Sequence, residues 1–343
     1  MQGKDRTALV LGASGGIGGE VARRLRDAGW RVVALRRGLP AAHEVRDGLH
    51  WQRGDALNAA DVRAAARGCG VIVHAVNPPG YRDWDRVVLP MLDHSIAAAQ
   101  AEGATLVLPG TVYNYGPDAF PLLAEDAAQR PVTRKGAIRA EMEARLRAAS
   151  GAALRVIIVR AGDFFGPQAR NSWFSQGMVK PGQAVKTIAN PPAAGVGHQW
   201  SYLPDVAQAM VELLGVRHTL PAFNNLHMTG HWDATGREMA EAIQRVVARR
   251  TGRTPRIAGF PWWLLTLASP FVKTFRDMRE MRYLWQRPVR LAGTRLATVL
   301  GREPHTPLDE AVEAALQGLG CLPAAVHEVA GARPSTPLHP SRP

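Results

Sequence analysis

The chain has 343 residues, of which 46% are hydrophobic and 21% are charged, proportions that exclude both a disordered polyampholyte and a fibre. Its 34 glycines and 25 prolines show no collagen-like period. The net charge is +13, and only five of the 42 basic residues are lysines. Arginine suits anionic ligands such as phosphates. Because the arginines are scattered along the sequence and do not form one basic block, we expect no specific nucleic-acid partner.

Two features predict where the protein works. The first ten residues, MQGKDRTALV, carry charges where a secretory signal needs an apolar core. Cys69 and Cys321 lie too far apart in the sequence to indicate a cysteine-rich metal site or a disulfide framework. We therefore expect a cytoplasmic protein. The eleven histidines show no ligand spacing of the kind that zinc sites use, so no metal is predicted.

The first 165 residues alternate short apolar runs with helical patterns, which is typical of parallel strands joined by helices. This alternation predicts a doubly wound, Rossmann-type parallel sheet of the α/β class. Strands are expected at Thr7–Leu11, Arg31–Leu35, His50–Arg53, Val71–His74, Thr105–Leu108 and Arg155–Val159. Helices are expected at Gly16–Ala28, Ala59–Arg67, Asp85–Ala101 and Arg134–Ala149.

After Arg160 the alternation loosens and Gly, Pro and Trp become common. We predict a Rossmann domain over 1–165, a smaller substrate lobe over 166–320, and a return of 201–229 to the main sheet. The last eleven residues contain four prolines, and 321–343 is predicted to be a disordered tail. Amphipathic helices are expected at Leu203–Leu214, Thr235–Arg249 and Asp309–Gly318.

One segment of the lobe, Ile257–Val272, carries no charge for 16 residues and contains Trp262 and Trp263. It is shorter than the ~18 apolar residues that indicate a membrane-spanning helix. We expect a buried helix or a contact between lobes. The alternative is a membrane-surface patch, flanked by Arg256 and Lys273.

A glycine-rich loop joins the first predicted strand to the first predicted helix. Glycines at this position permit a tight turn and allow backbone amides to approach a pyrophosphate at the helix N-terminus. Because the motif follows an apolar strand and opens a helix, it predicts a dinucleotide site. Its expected contacts are Gly12, Ser14, Gly15, Gly16, Ile17 and Gly18.

Arg36 and Arg37 end the second strand, about 20 residues after the loop. Sites that prefer NAD place an acidic side chain there to bind the ribose hydroxyls. Two arginines would instead attract a 2′-phosphate, and Ser14 could assist them. We therefore predict NADP(H) as cofactor, with NAD(H) the less favoured alternative.

These motifs together resemble the short-chain dehydrogenase/reductase superfamily, extended type, as in NAD-dependent epimerase/dehydratase proteins. The resemblance covers about residues 5–320. It implies that Asp55, followed by Ala56, contacts the adenine, and that His74 and Ala75 run beneath the cofactor. It also implies that Phe165 lies in the turn beside the nicotinamide.

The catalytic motif of that family is absent from this chain. The family uses Tyr-x-x-x-Lys on a helix, where the lysine lowers the pKa of the phenol one turn away. No Tyr-x-x-x-Lys occurs here. When Glu143 is aligned with the family's downstream glutamate, Lys135 takes the tyrosine position and Arg139 the lysine position. A first interpretation is that Lys135 transfers the proton, with its pKa lowered by Arg139 and by burial.

Two other interpretations stay open. Tyr113 or Tyr115 could supply a phenol from the other side of the pocket, near Thr111, which falls close to the family's Ser/Thr position. The site could also bind cofactor without turnover. His198 is a further departure, because many nucleotide-sugar enzymes of this type carry an arginine there.

The resulting functional prediction is hydride transfer to or from a carbonyl or hydroxyl carbon of a small-molecule substrate. One alternative is a non-catalytic NADP(H)-binding sensor or assembly factor. Another is a membrane-surface reductase of a lipid or quinone. The family resemblance also suggests a homodimer that pairs through the helices predicted at 85–101 and 134–149.

Overall fold

Eight strands form the central sheet, in the order β12-β8-β6-β5-β1-β2-β4-β3. All neighbouring strands are parallel except β3 and β4, which are antiparallel. The predicted doubly wound sheet is therefore confirmed. The strands are β1 (Thr7–Leu11), β2 (Arg31–Arg36), β3 (His43–Arg46), β4 (Leu49–Arg53), β5 (Val71–His74), β6 (Thr105–Gly110), β8 (Arg155–Arg160) and β12 (Phe223–His227).

The computed structural model describes residues 3–78, 83–269 and 273–323. Most of the predicted tail, 324–343, lies outside the described residues, as do 270–272 of the uncharged segment. The first two residues assigned to the tail, Cys321 and Leu322, are buried with the apolar core of the lobe.

Helices cover both faces of the sheet. On one face, α1 packs against α5, and on the other α2, α3 and α4 lie side by side. The sheet strands are almost wholly apolar inside, as expected when both faces are buried. These helices are α1 (Gly16–Asp27), α2 (Ala59–Ala66), α3 (Trp84–Glu102), α4 (Arg134–Ala149) and α5 (Leu203–Gly215).

Strand β3 was not among the predicted elements. It forms a hairpin with β4 through Asp47 and Gly48, whose φ angles are 54° and 72°. Two consecutive positive φ angles at an Asp-Gly pair are typical of the tight turn that joins antiparallel strands. The Asp-Gly pair is thus the local signal that places a strand before β4.

The lobe is built mainly from the second half of the chain. Two small sheets carry it, a three-stranded one in the order β13-β11-β9 and a pair formed by β10 and β14. α6 packs on α10 around a core rich in aromatic side chains. The strands are β9 (Asp163–Phe165), β10 (Thr187–Asn190), β11 (His198–Tyr202), β13 (His231–Asp233) and β14 (Arg256–Gly259). The helices are α6 (Glu238–Thr251) and α10 (Leu308–Gly318).

Residues 201–229 divide between the two parts. β11 ends at Tyr202 within the lobe, after which α5 and β12 return to the main sheet. The remaining elements complete the lobe and its junction with the sheet. They are β7 (Leu122–Leu123), paired with β15 (Arg290–Leu291), and the helices α7 (Trp262–Ala268), α8 (Lys273–Glu280) and α9 (Thr294–Leu300).

The order of the strands fixes where a ligand can bind. β1 lies between β2 and β5, so the chain passes to one side of β1 first and to the other side later. In open α/β sheets, ligands bind in the crevice at the carboxyl ends of the strands where the order reverses. That crevice lies beyond Leu11 and His74.

Candidate functional site

The glycine-rich loop lies at this reversal point and is packed too tightly for side chains. Gly12 has a φ of +90°, and a Cβ atom there would lie less than 3.0 Å from the carbonyl of Ala75. A Cβ atom at Gly18 would lie equally close to the carbonyl of Gly12. Only glycine fits at either position, because Gly12 packs against the backbone just after β5 and Gly18 packs against Gly12.

The other loop residues form the N-terminus of α1, which lies at the crevice. Gly15 is the N-cap of α1 and provides no side-chain cap, so the amides of the first turn remain available for an anionic ligand. Ser14 and Gly15 are exposed, while Gly16 and Ile17 are half-buried. These features fit the pyrophosphate of a dinucleotide.

The ends of β2 and β4 form the next part of the crevice. The amide of Gly54 donates to the carbonyl of Arg36 at 3.1 Å, which holds the two strand ends together. Arg36 and Arg37 are exposed, and Arg37 Nη1 lies 3.8 Å from Asp55 Oδ2. Ala56 is buried directly after Asp55. The structure thus brings the predicted adenine and 2′-phosphate residues to one edge of the sheet.

His74, the last residue of β5, is buried and held in one tautomer. Its Nδ1 lies 2.8 Å from Ser95 Oγ, which itself donates to the carbonyl of Met91. Because the serine proton is already used, Nδ1 must donate, and Nε2 is left as an acceptor. This Nε2 has no hydrogen-bond partner among the described residues. Burial, assisted by the charge of Arg139, lowers the pKa of His74 to about 3, so the ring is neutral.

Arg139, on α4, reaches the same region. Its Nη2 donates to Asn77 Oδ1 at 3.2 Å, and its guanidinium carbon lies 5.2 Å from the centre of the Trp84 ring. The residue is 8% exposed, and its Nε has no hydrogen-bond partner among the described residues. A guanidinium with a donor left over suits a ribose hydroxyl or a phosphate oxygen.

Lys135, Arg139 and Glu143 lie four residues apart along α4 and so share one face of the helix. Glu143 is buried and accepts hydrogen bonds from Arg160 Nη2 at 2.6 Å and from Asn114 Nδ2 at 2.9 Å. Arg139 approaches the end of β5, and Glu143 approaches the end of β8. The face that they share therefore extends across the carboxyl ends of the strands, with Lys135 partly exposed at its start.

Thr111 and the two tyrosines border the same face. Thr111 Oγ1 donates to Asn114 Oδ1 at 2.5 Å, so its hydroxyl is engaged in the network around Glu143. A Cβ atom at Gly136 would collide with the carbonyl of Tyr113, which places half-buried Tyr113 beside the turn that carries Lys135.

Tyr115 is fully buried, and burial raises the pKa of its phenol. A raised pKa makes Tyr115 a poor proton donor near neutral pH. Of the two tyrosines considered from the sequence, Tyr113 is thus the better placed.

Two predicted residues belong to the lobe. Phe165 is fully buried, with its ring 5.7 Å from that of Phe174 and 5.4 Å from that of Tyr202. Because the core of the lobe encloses this ring, its side chain is not available for the predicted cofactor contact. His198 Nε2 lies 2.7 Å from Asp163 Oδ2, and the His198 ring stacks on Trp285 with centroids 3.8 Å apart.

Several residues of the site were missed by the sequence analysis. Asn77 and Ser95 position Arg139 and His74, and Asn114 joins Thr111 to Glu143. Asn77 lies three residues after the end of β5, and a polar residue just beyond a strand end is a usable signal. Ser95 and Asn114 gave no comparable signal, since His74 and Glu143, which they contact, lie in other segments. Among the described residues, no group of three or more His, Cys, Asp or Glu side chains could hold a metal ion.

Comparison with protein families decides the assignment. Residues 8–224 match the model of the NAD dependent epimerase/dehydratase family. This match covers more than half of the chain. The chain belongs to this family. The resemblance to extended short-chain dehydrogenases/reductases is therefore confirmed, and with it a dinucleotide as the type of cofactor.

The relatives of this epimerase/dehydratase-family chain that are named here are distant in sequence. The uncharacterized protein y4nL of Sinorhizobium fredii is 24% identical in an alignment that is 342 positions long, gaps included. The alignment covers 89% of this chain and 92% of that protein. Among solved structures, UDP-glucose 4-epimerase from Brucella ovis in complex with NAD superposes with a TM-score of 0.69 at 17% identity, covering 92% of this chain and 98% of that one.

Two other solved structures with a similar fold contain sugar nucleotides. MoeE5 in complex with UDP-glucose and NAD gives a TM-score of 0.66 at 20% identity. UDP-glucuronic acid 4-epimerase from Bacillus cereus, in complex with UDP-glucuronic acid and NAD, gives 0.67 at 16% identity. Each superposition covers 91% of this chain and 98% of the other protein's chain. At these identities the likeness establishes the fold.

The buried, neutral state of His74 predicts a loss of stability in acid. An unfolded histidine has a pKa near 6.5 and takes up a proton as the pH falls, whereas folded His74 does so only near pH 3. At pH 5 this difference destabilises the fold by about 2 kcal/mol relative to pH 7. His74→Asn, which keeps a donor for Ser95, should reduce the pH-dependent loss by that amount in urea unfolding. The exposed His43→Asn serves as control, and an unchanged loss in His74→Asn would contradict the assignment.

The tight packing of the loop predicts a specific effect of Gly12→Ala. Gly29→Ala is the matched control, because Gly29 also has a positive φ but has open space around its Cβ position. Both variants should lose about 1 kcal/mol from the left-handed backbone. Only Gly12→Ala should lose further stability and abolish dinucleotide binding, as measured by thermal unfolding and fluorescence titration. Equal behaviour of the two variants would show that Ala75 does not constrain the loop.

Proposed function

We propose that this chain is an NADP(H)-dependent oxidoreductase or epimerase/dehydratase-type enzyme that transfers hydride at a carbonyl or hydroxyl carbon. The observation that carries the proposal is the face of α4 formed by Lys135, Arg139 and Glu143. It extends from the end of β5, beside the glycine-rich loop, to the end of β8. In this proposal Lys135 would be the proton-transfer group and Arg139 the cation that orients the ligand, beside the crevice at the reversal of the strand order.

Lys135, Arg139 and the nearby His74 would have separate tasks. Lys135 would give or take the proton on the substrate oxygen, because it is a partly exposed residue at the start of the face. Arg139 would orient a ribose or phosphate oxygen through its guanidinium donors. A bound NADP(H) would supply or accept the hydride at its nicotinamide ring. Neutral His74 would lie beneath the cofactor and exclude water there.

The preference for NADP(H) rests on Arg36 and Arg37. Both are exposed at the end of β2, where a 2′-phosphate would approach, and Arg37 is also within 3.8 Å of Asp55. The solved relatives named above carry NAD, so the phosphate-bearing form is a property that we propose for this chain alone. Guanidinium groups suit a phosphate because they donate two parallel hydrogen bonds.

Nucleotide sugars are the first substrates to test, because two of the solved relatives were captured with UDP-glucose and UDP-glucuronic acid. Because of His198, simple carbonyl compounds and quinones are the second group of substrates to test. It is paired with Asp163 and stacked on Trp285, so it offers no charged fork to a diphosphate.

The cofactor preference predicts that Arg36→Gln/Arg37→Gln weakens NADPH binding more than tenfold, which corresponds to ~1.4 kcal/mol, while NADH binding changes little. Isothermal titration with both cofactors would measure this. Arg63→Gln/Arg67→Gln, which removes two exposed arginines around the end of α2, is the matched control. Equal losses for NADPH and NADH would show that Arg36 and Arg37 do not bind the phosphate.

The proton-transfer role predicts that Lys135→Met lowers kcat by about 100-fold or more, with little change in the dissociation constant of NADPH. Lys135→Tyr, which introduces the phenol of the family motif, should retain more turnover than Lys135→Met. Lys180→Met, in an exposed part of the lobe, is the control.

The readout is the absorbance of the reduced nicotinamide across nucleotide sugars, carbonyl compounds and quinones. If Lys135→Met stays active and Tyr113→Phe does not, the phenol of Tyr113 carries the proton. Tight NADPH binding without turnover on any substrate would instead favour the sensor or assembly role.

A further inference from the structure

Helix α7 presents an apolar face outwards. Trp263 is 67% exposed, Leu264 50% and Leu267 66%. We call these three residues the α7 patch. Of the seven large apolar side chains that are exposed in the described residues, three therefore lie within one turn and a half of one short helix.

The opposite side of the helix fixes this orientation. Trp262 Nε1 donates to the carbonyl of Pro191 at 3.0 Å, and the Trp262 ring packs against Trp173 and Phe260. Leu265 is 6% exposed on the same side. Because these contacts anchor one side of α7, the α7 patch cannot turn inwards without breaking the aromatic cluster.

The α7 patch lies in a basic part of the sequence. Residues 253–287 contain seven basic and two acidic residues, a net charge of +5 in a tenth of the chain. Arg256, Arg276 and Arg279 are exposed on the elements before and after α7. One of the two acids, Glu280, is occupied by a hydrogen bond from the amide of Arg134 at 2.8 Å.

Apolar side chains beside exposed arginines match the surface of an anionic bilayer. Trp and Leu insert at the level of the headgroups, and nearby Arg side chains pair with anionic lipids. Seven residues are too few to cross the hydrocarbon core, which takes about 20. Within the described part of the chain, no helix has the length and apolar character of a membrane span.

We propose that the α7 patch is a peripheral membrane-binding site that inserts into the headgroup region of an anionic phospholipid bilayer. This assigns Trp263, not Trp262, as the residue that enters the lipid. It also divides the uncharged segment between two roles, since Trp262 and Leu265 belong to the core of the lobe. The proposal stands apart from the proposed catalytic function and holds for an active or an inactive enzyme.

The test is co-sedimentation of the full chain with vesicles of phosphatidylcholine alone or of equimolar phosphatidylcholine and phosphatidylglycerol. Wild type should bind the anionic vesicles, and Trp263→Ser/Leu264→Ser/Leu267→Ser should bind at least about tenfold more weakly. The control Val45→Ser/Leu57→Ser/Val132→Ser removes three similarly exposed apolar side chains elsewhere and should bind like wild type. Arg276→Gln/Arg279→Gln should weaken binding and reduce its dependence on salt.

Three results would overturn the proposal. The first is no binding of wild type to anionic vesicles, and the second is equal binding by the wild type and the α7 variant. The third is a concentration-dependent dimer in light scattering that the α7 variant abolishes, because a second copy of the chain would then cover the patch. Thermal unfolding and NADPH binding of each variant, compared with wild type, establish that any loss of vesicle binding does not come from misfolding.

Discussion

The candidate site depends on one buried ion pair, between Arg160 at the end of β8 and Glu143 on α4. Arg160 is completely enclosed, and its Nη2 lies 2.6 Å from Glu143 Oε2. Loss of either partner would leave an unpaired charge in the core, which costs about 3–5 kcal/mol. Arg160 also donates to the carbonyl of Thr111 and, at 3.0 Å, to Asn225 Oδ1. One side chain therefore joins α4 to segments after β6 and within β12.

This pair sets the rotation of α4 about its own axis. Glu143 can reach Arg160 only when its face of the helix is turned towards the strand ends. Arg139, one turn earlier, then reaches the end of β5, and Lys135, two turns earlier, lies on the same side of α4. The guanidinium of Arg160 also lies 5.0 Å from the ring of Tyr115, so the pair is covered by an aromatic side chain. Buried polar groups thus position the residues that we propose for chemistry without contacting a ligand themselves.

The sequence predicts those strands, helices and loops that a local pattern of residues encodes. The six strands and four helices predicted within the first 165 residues follow from apolar periodicity, and the glycine-rich loop follows from backbone geometry that only glycine permits. Phe165 shows the limit of this approach, because whether its ring faces a cofactor or the core of the lobe depends on Phe174 and Tyr202. The partners of Glu143 come from three other segments, 114, 129 and 160, and no local pattern brings them together.

The hairpin of β3 and β4 has a consequence for the solubility of the sheet. β3 is the last strand on its side, and an outer strand offers unpaired backbone groups to other chains. It is only four residues long, and it carries one negative charge at Glu44 and one positive charge at Arg46. A short, charged outer strand is a poor template for another strand. The turn at Asp47 and Gly48 thus protects the long apolar strands behind it from edge-to-edge association.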